Sequence, residues 1–342
     1  MTAALAGWSN HLFGATLVLY TLGMLAFAID LSFGRRRPAP VAPAQRQAAH
    51  VRDVELVIVG ASPARVDAPP PDSMMHHAAA LETDVGAGTR PSLRPTSAVA
   101  IAVTSLGWAV HLAEVITRGL AAGRVPWGNM YEFSSAVSLI AIGVFLVLAV
   151  RGVTTDIGVY VMVPAVCYLG LAGTVLYTRA APLQPVLNSY WLKIHVVAAI
   201  TATGTFMVGG VVTTLLLVRR RVDRASTRPG TARRIAQRLP ASATLDQLER
   251  RIITLAFPIW TFAVIAGAIW AESAWGRYWG WDPKETWSFI TWVLYACYLH
   301  ARATASWRRA APVFALAGFA ALVFNYYVVN LVVNGLHSYA GV

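Results

Sequence analysis

The sequence predicts an all-α membrane protein of eight helices, and three observations predict it. Of 342 residues, 56% are hydrophobic and only 13% charged, whereas a soluble domain carries about a quarter charged residues. Apolar runs near the roughly 20 residues needed to cross the hydrocarbon occur at about 11–33, 97–117, 131–150, 157–178, 194–218, 252–271, 285–306 and 311–334. The positive charge alternates with them. Segments 34–94, 151–156, 219–251 and 302–309 hold 22 of the 28 lysines and arginines. The opposite loops hold Arg118, Arg124, Arg179, Lys193, Arg277 and Lys284. Cytoplasmic loops carry the basic excess, so both termini are expected on the extracytoplasmic side. The net charge of +12 therefore encodes orientation and not a nucleic-acid partner.

The first run, within 1–33, lacks a small-residue cleavage site and is expected to stay as a helix. Residues 34–96 are rich in Pro, Ala, Arg and Ser, with Ala-Pro-Pro-Pro-Asp-Ser at 68–73, and predict a disordered cytoplasmic linker. His76 and His77 fall within it and read as solvated. Residues 97–342 form the main transmembrane domain. The stretch 118–130 is an external turn carrying Trp127, and Glu132 reads as a first-turn acid that favours the helix dipole. Pro164 leaves the ends of 157–178 least defined. Apolar spacing at Ile235, Leu239, Leu245 and Leu248 among arginines predicts a surface helix over 231–251 against anionic lipid. Cys167 and Cys297 lie in apolar runs, are not spaced Cys-x-x-Cys, and read as buried packing residues. The sequence holds no phosphate-binding glycine loop, no Gly-x-Ser-x-Gly elbow and no His-Glu-x-x-His.

The chemistry concentrates at 272–284 and just beyond. Residues 275–292, Trp-Gly-Arg-Tyr-Trp-Gly-Trp-Asp-Pro-Lys-Glu-Thr-Trp-Ser-Phe-Ile-Thr-Trp, hold five tryptophans, a tyrosine and a phenylalanine. Interfacial belts use such rings as anchors, but this density also suits a large flat ligand. Trp275 and Trp279 are four apart and would stack on one face of a helix. Asp282-Pro283-Lys284-Glu285 reads as a capping box that opens the next helix.

Three of eight histidines stand out. His195 lies one turn into the fifth predicted helix, and His337 just past the outer end of the eighth. The topology puts both on the side of the tryptophan segment, where two imidazoles beside an aromatic platform suit haem iron. An ionisable residue at membrane depth is a functional candidate. His300 lies about 22 Å further along the seventh helix from Glu285, too far to share that iron. His11 and His111 read as packing or hydrogen-bonding residues.

The run Trp275-Gly276…Trp279…Trp281-Asp282, with Trp-Leu-Lys-Ile-His-Val before it, Tyr-Leu-His-Ala-Arg after it, His-Ser-Tyr-Ala-Gly at the C-terminus and Asn-Met-Tyr-Glu-Phe at 129–133, resembles the CcsA (ResC) family of cytochrome c biogenesis proteins. The resemblance covers about residues 100–342. It implies the haem-binding subunit of a cytochrome c synthetase in the inner (plasma) membrane, acting with a CcsB (ResB) partner. It implies haem b as substrate and ligand, held by Trp275, Trp279, Trp281 and Asp282. His195 and His337 would be the external iron ligands and His300 the transmembrane one. Two cysteine thiols of an apocytochrome c Cys-x-x-Cys-His motif would add across the haem vinyls, so this chain needs orientation and no nucleophile. A haem-delivery or haem-export protein of the same tryptophan-rich group is the alternative. A b-type cytochrome would show histidine pairs on facing helices, and a solute transporter would show buried charges or broken helices; neither pattern is prominent.

Overall fold

The computed structural model describes residues 2–33, 94–152, 155–180, 189–225, 238–333 and 335–336. The expected linker lies almost wholly outside these residues, and so do His76, His77 and His337. The described chain forms eight helices: α1 (Thr2–Phe33), α2 (Pro95–Ala122), α3 (Met130–Val150), α4 (Gly158–Thr174), α5 (Tyr190–Ala225), α6 (Ser242–Trp275), α7 (Pro283–Ala303) and α8 (Ala311–Leu331). Six are long and apolar enough to cross a membrane; α4 is apolar but shorter, and α7 is not among the six. The chain is a multi-pass membrane protein.

The apolar content explains the packing. Helix α5 packs most extensively on α6, α7 on α8, and α3 on α5 and α4. One apolar core joins α1 to α6 around Ile142, Phe145, Leu169 and Val212; a second joins α5 to α8 around Phe206, Trp260, Tyr295 and Leu322. Small residues allow the close approaches, as membrane helix interfaces require. A Cβ at Gly204 would stand 2.8 Å from the carbonyl oxygen of Val137.

Two expectations need correction. The stretch 242–251 is no separate surface helix: it is the first part of α6, with Leu245 and Leu248 buried in the core. Its apolar face packs against protein. Cys167 faces outward from α4 and is exposed, because the inner face of that helix is filled by Ala165 and Leu169.

Several buried polar groups on α2 and α3 find partners, as the bilayer favours. His111 contacts Tyr20 Oη at 3.1 Å and Ser135 Oγ at 2.9 Å through its two ring nitrogens. Glu114 accepts from Ser9 at 3.3 Å and Ser135 at 2.9 Å. Glu132 does more than favour a dipole. It accepts from Arg118 Nε at 3.1 Å, Arg124 at 2.6 Å and the Gly128 amide at 2.9 Å. These bonds tie the 123–129 turn to α2 and α3. Glu132→Ala strands two arginines in a buried site, so it is expected to cost roughly 3 kcal/mol, read as a lower midpoint of thermal unfolding in detergent.

Candidate functional site

One face of α6 forms the wall of a cavity. Trp260, Ala263, Val264, Gly267, Trp270, Ala271 and Trp275 line it, and they recur every three or four residues, the spacing of one helical face. Helix α5 adds His195, Val196 and Ala199; the 123–129 turn adds Trp127; α7 and α8 add Lys284, Glu285, Ser288, Asn325 and Tyr326. The cavity's volume is about 220 Å³. The lining is mainly apolar and aromatic, with a few polar groups, as in most small-molecule sites.

His195 is held in one orientation. Its Nδ1 lies 2.7 Å from the carbonyl oxygen of Ala263. A carbonyl oxygen only accepts, so Nδ1 carries a proton, and in the neutral imidazole the lone pair is then on Nε2. Metal-binding histidines are oriented in this way. The ring lies parallel to Trp270, at 10° and 6.5 Å between centroids, and Trp275 meets Trp270 edge-on at 4.8 Å. This contact needs Gly267. A Cβ there would sit 2.8 Å from His195 Nδ1 and Cε1.

The tryptophan segment itself is a turn. Helix α6 ends at Trp275 because Gly276 adopts the left-handed conformation, φ 68°. Trp275 and Trp279 therefore do not stack on one helical face, contrary to expectation. They reach the same cavity from the end of a helix and from a loop. Trp279 meets Trp281 edge-on at 5.8 Å. Trp281 has φ 58°, a strained value for a bulky residue. Its side chain is 66% exposed and lies outside the cavity lining.

The expected capping box is present. Asp282 accepts from the Lys284 amide at 3.2 Å, and Glu285 accepts from the Asp282 and Gly280 amides at 3.1 and 2.8 Å. Asp282 Oδ1 also accepts from the Leu336 amide at 2.8 Å. The cap thus anchors the residue that precedes His337. His300 is on α7 near its C-terminal end, exposed and apart from the cavity lining. Sequence reasoning named Trp127 and Lys284 without placing them in a site, and missed Trp270 and Gly267. The three-and-four spacing from Trp260 to Trp275 was the signal that could have found Trp270 and Gly267.

The fold and the site together define a class: a multi-pass membrane protein with an aromatic, histidine-bearing cavity at one end of its bundle. Residues 127–337 match the family model described as cytochrome C assembly protein. A cytochrome c biogenesis protein CcsA of Crocosphaera subtropica is 32% identical over 290 residues, covering 70% of this chain and 86% of that protein. The CcsA of Guillardia theta is 34% identical over 242 residues, covering 65% of this chain and 79% of its own length. The fold resembles that of the cytochrome c haem lyase CcmF, with a TM-score of 0.58 and 15% identity. That likeness covers 94% of this chain and 46% of CcmF. The chain belongs to the cytochrome c assembly family and, within it, to the CcsA proteins.

Asp282→Ala removes a helix cap and the Leu336 tether together. The expected result is a loss of about 1–2 kcal/mol and faster hydrogen exchange at the Leu336 amide, with exchange in the middle of α5 unchanged.

Proposed function

We propose that this chain is the haem-binding subunit of a cytochrome c synthetase, presenting haem on the extracytoplasmic side to an apocytochrome c. One observation carries the reading: His195, with Nδ1 proton-bound to Ala263 and its lone pair on Nε2, stands in a cavity walled by Trp270, Trp275 and Trp279. The residues suit haem. Flat rings bind a flat macrocycle, and an imidazole in the right tautomer supplies an axial ligand.

His195 and His337 would be the residues that hold the iron, and Asp282 anchors the chain at Leu336. Trp275 and Trp279 would cover the macrocycle and exclude water. Trp281 and Asp282 would hold the turn that carries Trp279. When bound, haem supplies its vinyl groups. Each cysteine S–H adds across one vinyl, sulfur to the carbon next to the ring and hydrogen to the outer carbon, with no net oxidation. The chain's contribution is orientation, which can supply several kcal/mol of a barrier. His300, exposed on α7, would serve a transmembrane haem shared with a partner of the CcsB (ResB) kind. Family membership and the aromatic cavity support a role in the inner membrane with the cavity facing outward.

A Cys-x-x-Cys-His reporter expressed with this chain and its partner tests the proposal. His195→Ala should cut covalent haem on the reporter roughly tenfold or more, and added imidazole should restore part of it. Gly267→Val keeps the histidine but displaces its ring, and should mimic His195→Ala. Haem bound without any reporter attachment would favour the haem-delivery alternative; full attachment in both variants would remove His195 from the site.

Orientation has its own check. A cysteine at Arg277 should react with an impermeant maleimide in intact cells, and one at Arg228 should not. The reverse pattern would place the cavity on the cytoplasmic side.

A further inference from the structure

The cavity wall contains a lysine that makes no salt bridge among the described residues. Lys284 is the second residue of α7 and lines the cavity, half-buried. Its Nζ donates to Asn330 Oδ1. Asn330 in turn donates through Nδ2 to the Tyr326 carbonyl at 2.7 Å, which turns its oxygen toward the lysine. An ammonium has three donors, and this neutral amide is its one hydrogen-bond partner among the described residues. Of the nearby carboxylates, Asp282 and Glu285 Oε2 are engaged by backbone amides, while Glu285 Oε1 is buried and has no hydrogen-bond partner among the described residues. Asp282 accepts from the Lys284 and Leu336 amides, and Glu285 Oε2 from the Gly280 and Asp282 amides. The ion pair of Glu285 is with Arg277, at 3.6 Å. Among the described residues no carboxylate forms a salt bridge with Lys284, and Asp282 favours its charge only through space. A cation so placed is costly unless something neutralises it.

The ligand chemistry that answers this is a carboxylate on an otherwise apolar body. We propose that Lys284 Nζ binds a propionate of the haem in this cavity and so fixes which edge of the macrocycle faces α7 and α8. The inference rests on the haem reading above. It adds what an axial histidine cannot supply. His195 sets the iron's place but leaves the ring able to turn about the iron–nitrogen axis. Haem's two propionates share one edge, and the vinyls lie away from it. Pairing the charged edge with Lys284 turns the vinyls away from that wall. Lys284 is thus a positioning residue. Lys193, the other cavity cation, is exposed and has water to solvate it.

The test removes the charge from each side in turn. The purified chain, with its partner where the complex is needed, is titrated with ferric haem and with haem dimethyl ester, and binding is followed by the Soret band. Wild type should bind haem about ten- to a hundredfold more tightly than the diester. Lys284→Met should lose that preference and bind both as wild type binds the diester, whereas Lys284→Arg should keep much of it. A general packing defect would weaken both ligands alike and leave their ratio unchanged. Equal binding of both ligands by wild type would overturn the proposal. So would a preference that survives in Lys284→Met or disappears in Lys193→Met. If Lys284→Met does not fold, Lys284→Gln takes its place under the same criteria. Absence of any Soret shift in wild type would sink the haem reading itself, a distinct result.

Discussion

The hydrogen bond from His195 Nδ1 to the Ala263 carbonyl is the contact on which the site depends. It joins α5 to α6, the most extensively packed pair of helices in the molecule. It settles which ring nitrogen carries the proton. It also holds the ring parallel to Trp270, which in turn supports Trp275. The bond exists because position 267, one turn beyond Ala263, is glycine. Any side chain there would meet the imidazole before it met the carbonyl. In hydrocarbon an unsatisfied ring N–H is expensive, so the same bond that orients the histidine also makes it tolerable at that depth.

The cavity end of the bundle uses one device twice. Two aromatic turns, one with Trp127 and one with Trp279, each lead into a helix whose third residue is a glutamate. Asn129 caps α3, and Glu132 reaches back to the Gly128 amide; Asp282 caps α7, and Glu285 reaches back to the Gly280 amide. Each acid satisfies backbone donors that a helix start leaves open and fixes the turn before it. Arginines complete both: Arg118 and Arg124 at the first, Arg277 at the second. Rings brought to a cavity by irregular backbone need such anchoring, because no helical ladder holds them. The strained φ of Trp281 sits inside one of these anchored turns, where the surrounding bonds can sustain it.

Much of this was legible in the sequence, and the exceptions have physical causes. Eight apolar runs became eight helices because length and hydrophobicity dominate in membranes. The capping box at 282–285 was readable because its chemistry is local. The stacking of Trp275 on Trp279 was misread because it assumed a continuing helix, and Gly276 ends that helix in a left-handed turn. Trp270 was overlooked inside an apolar run, where an aromatic reads as lipid-facing bulk. The pairing of Gly267 with His195 depends on the register of α5 against α6, which no local pattern encodes. Lys284 was counted as a loop charge, since only the packing of α7 on α8 turns it toward the cavity. The continuation of α6 through Leu245 and Leu248 also depends on the neighbours that bury them.

In the proposed function His195 Nε2 ligates haem iron in the aromatic cavity. The most direct measurement is the absorption spectrum of the purified, haem-loaded protein with and without the His195→Ala change. The expected result is a low-spin, six-coordinate spectrum in wild type that gives way to a high-spin or five-coordinate one in the variant and returns on adding imidazole. A His195→Ala protein that retains its haem with an unchanged low-spin spectrum would contradict the claim.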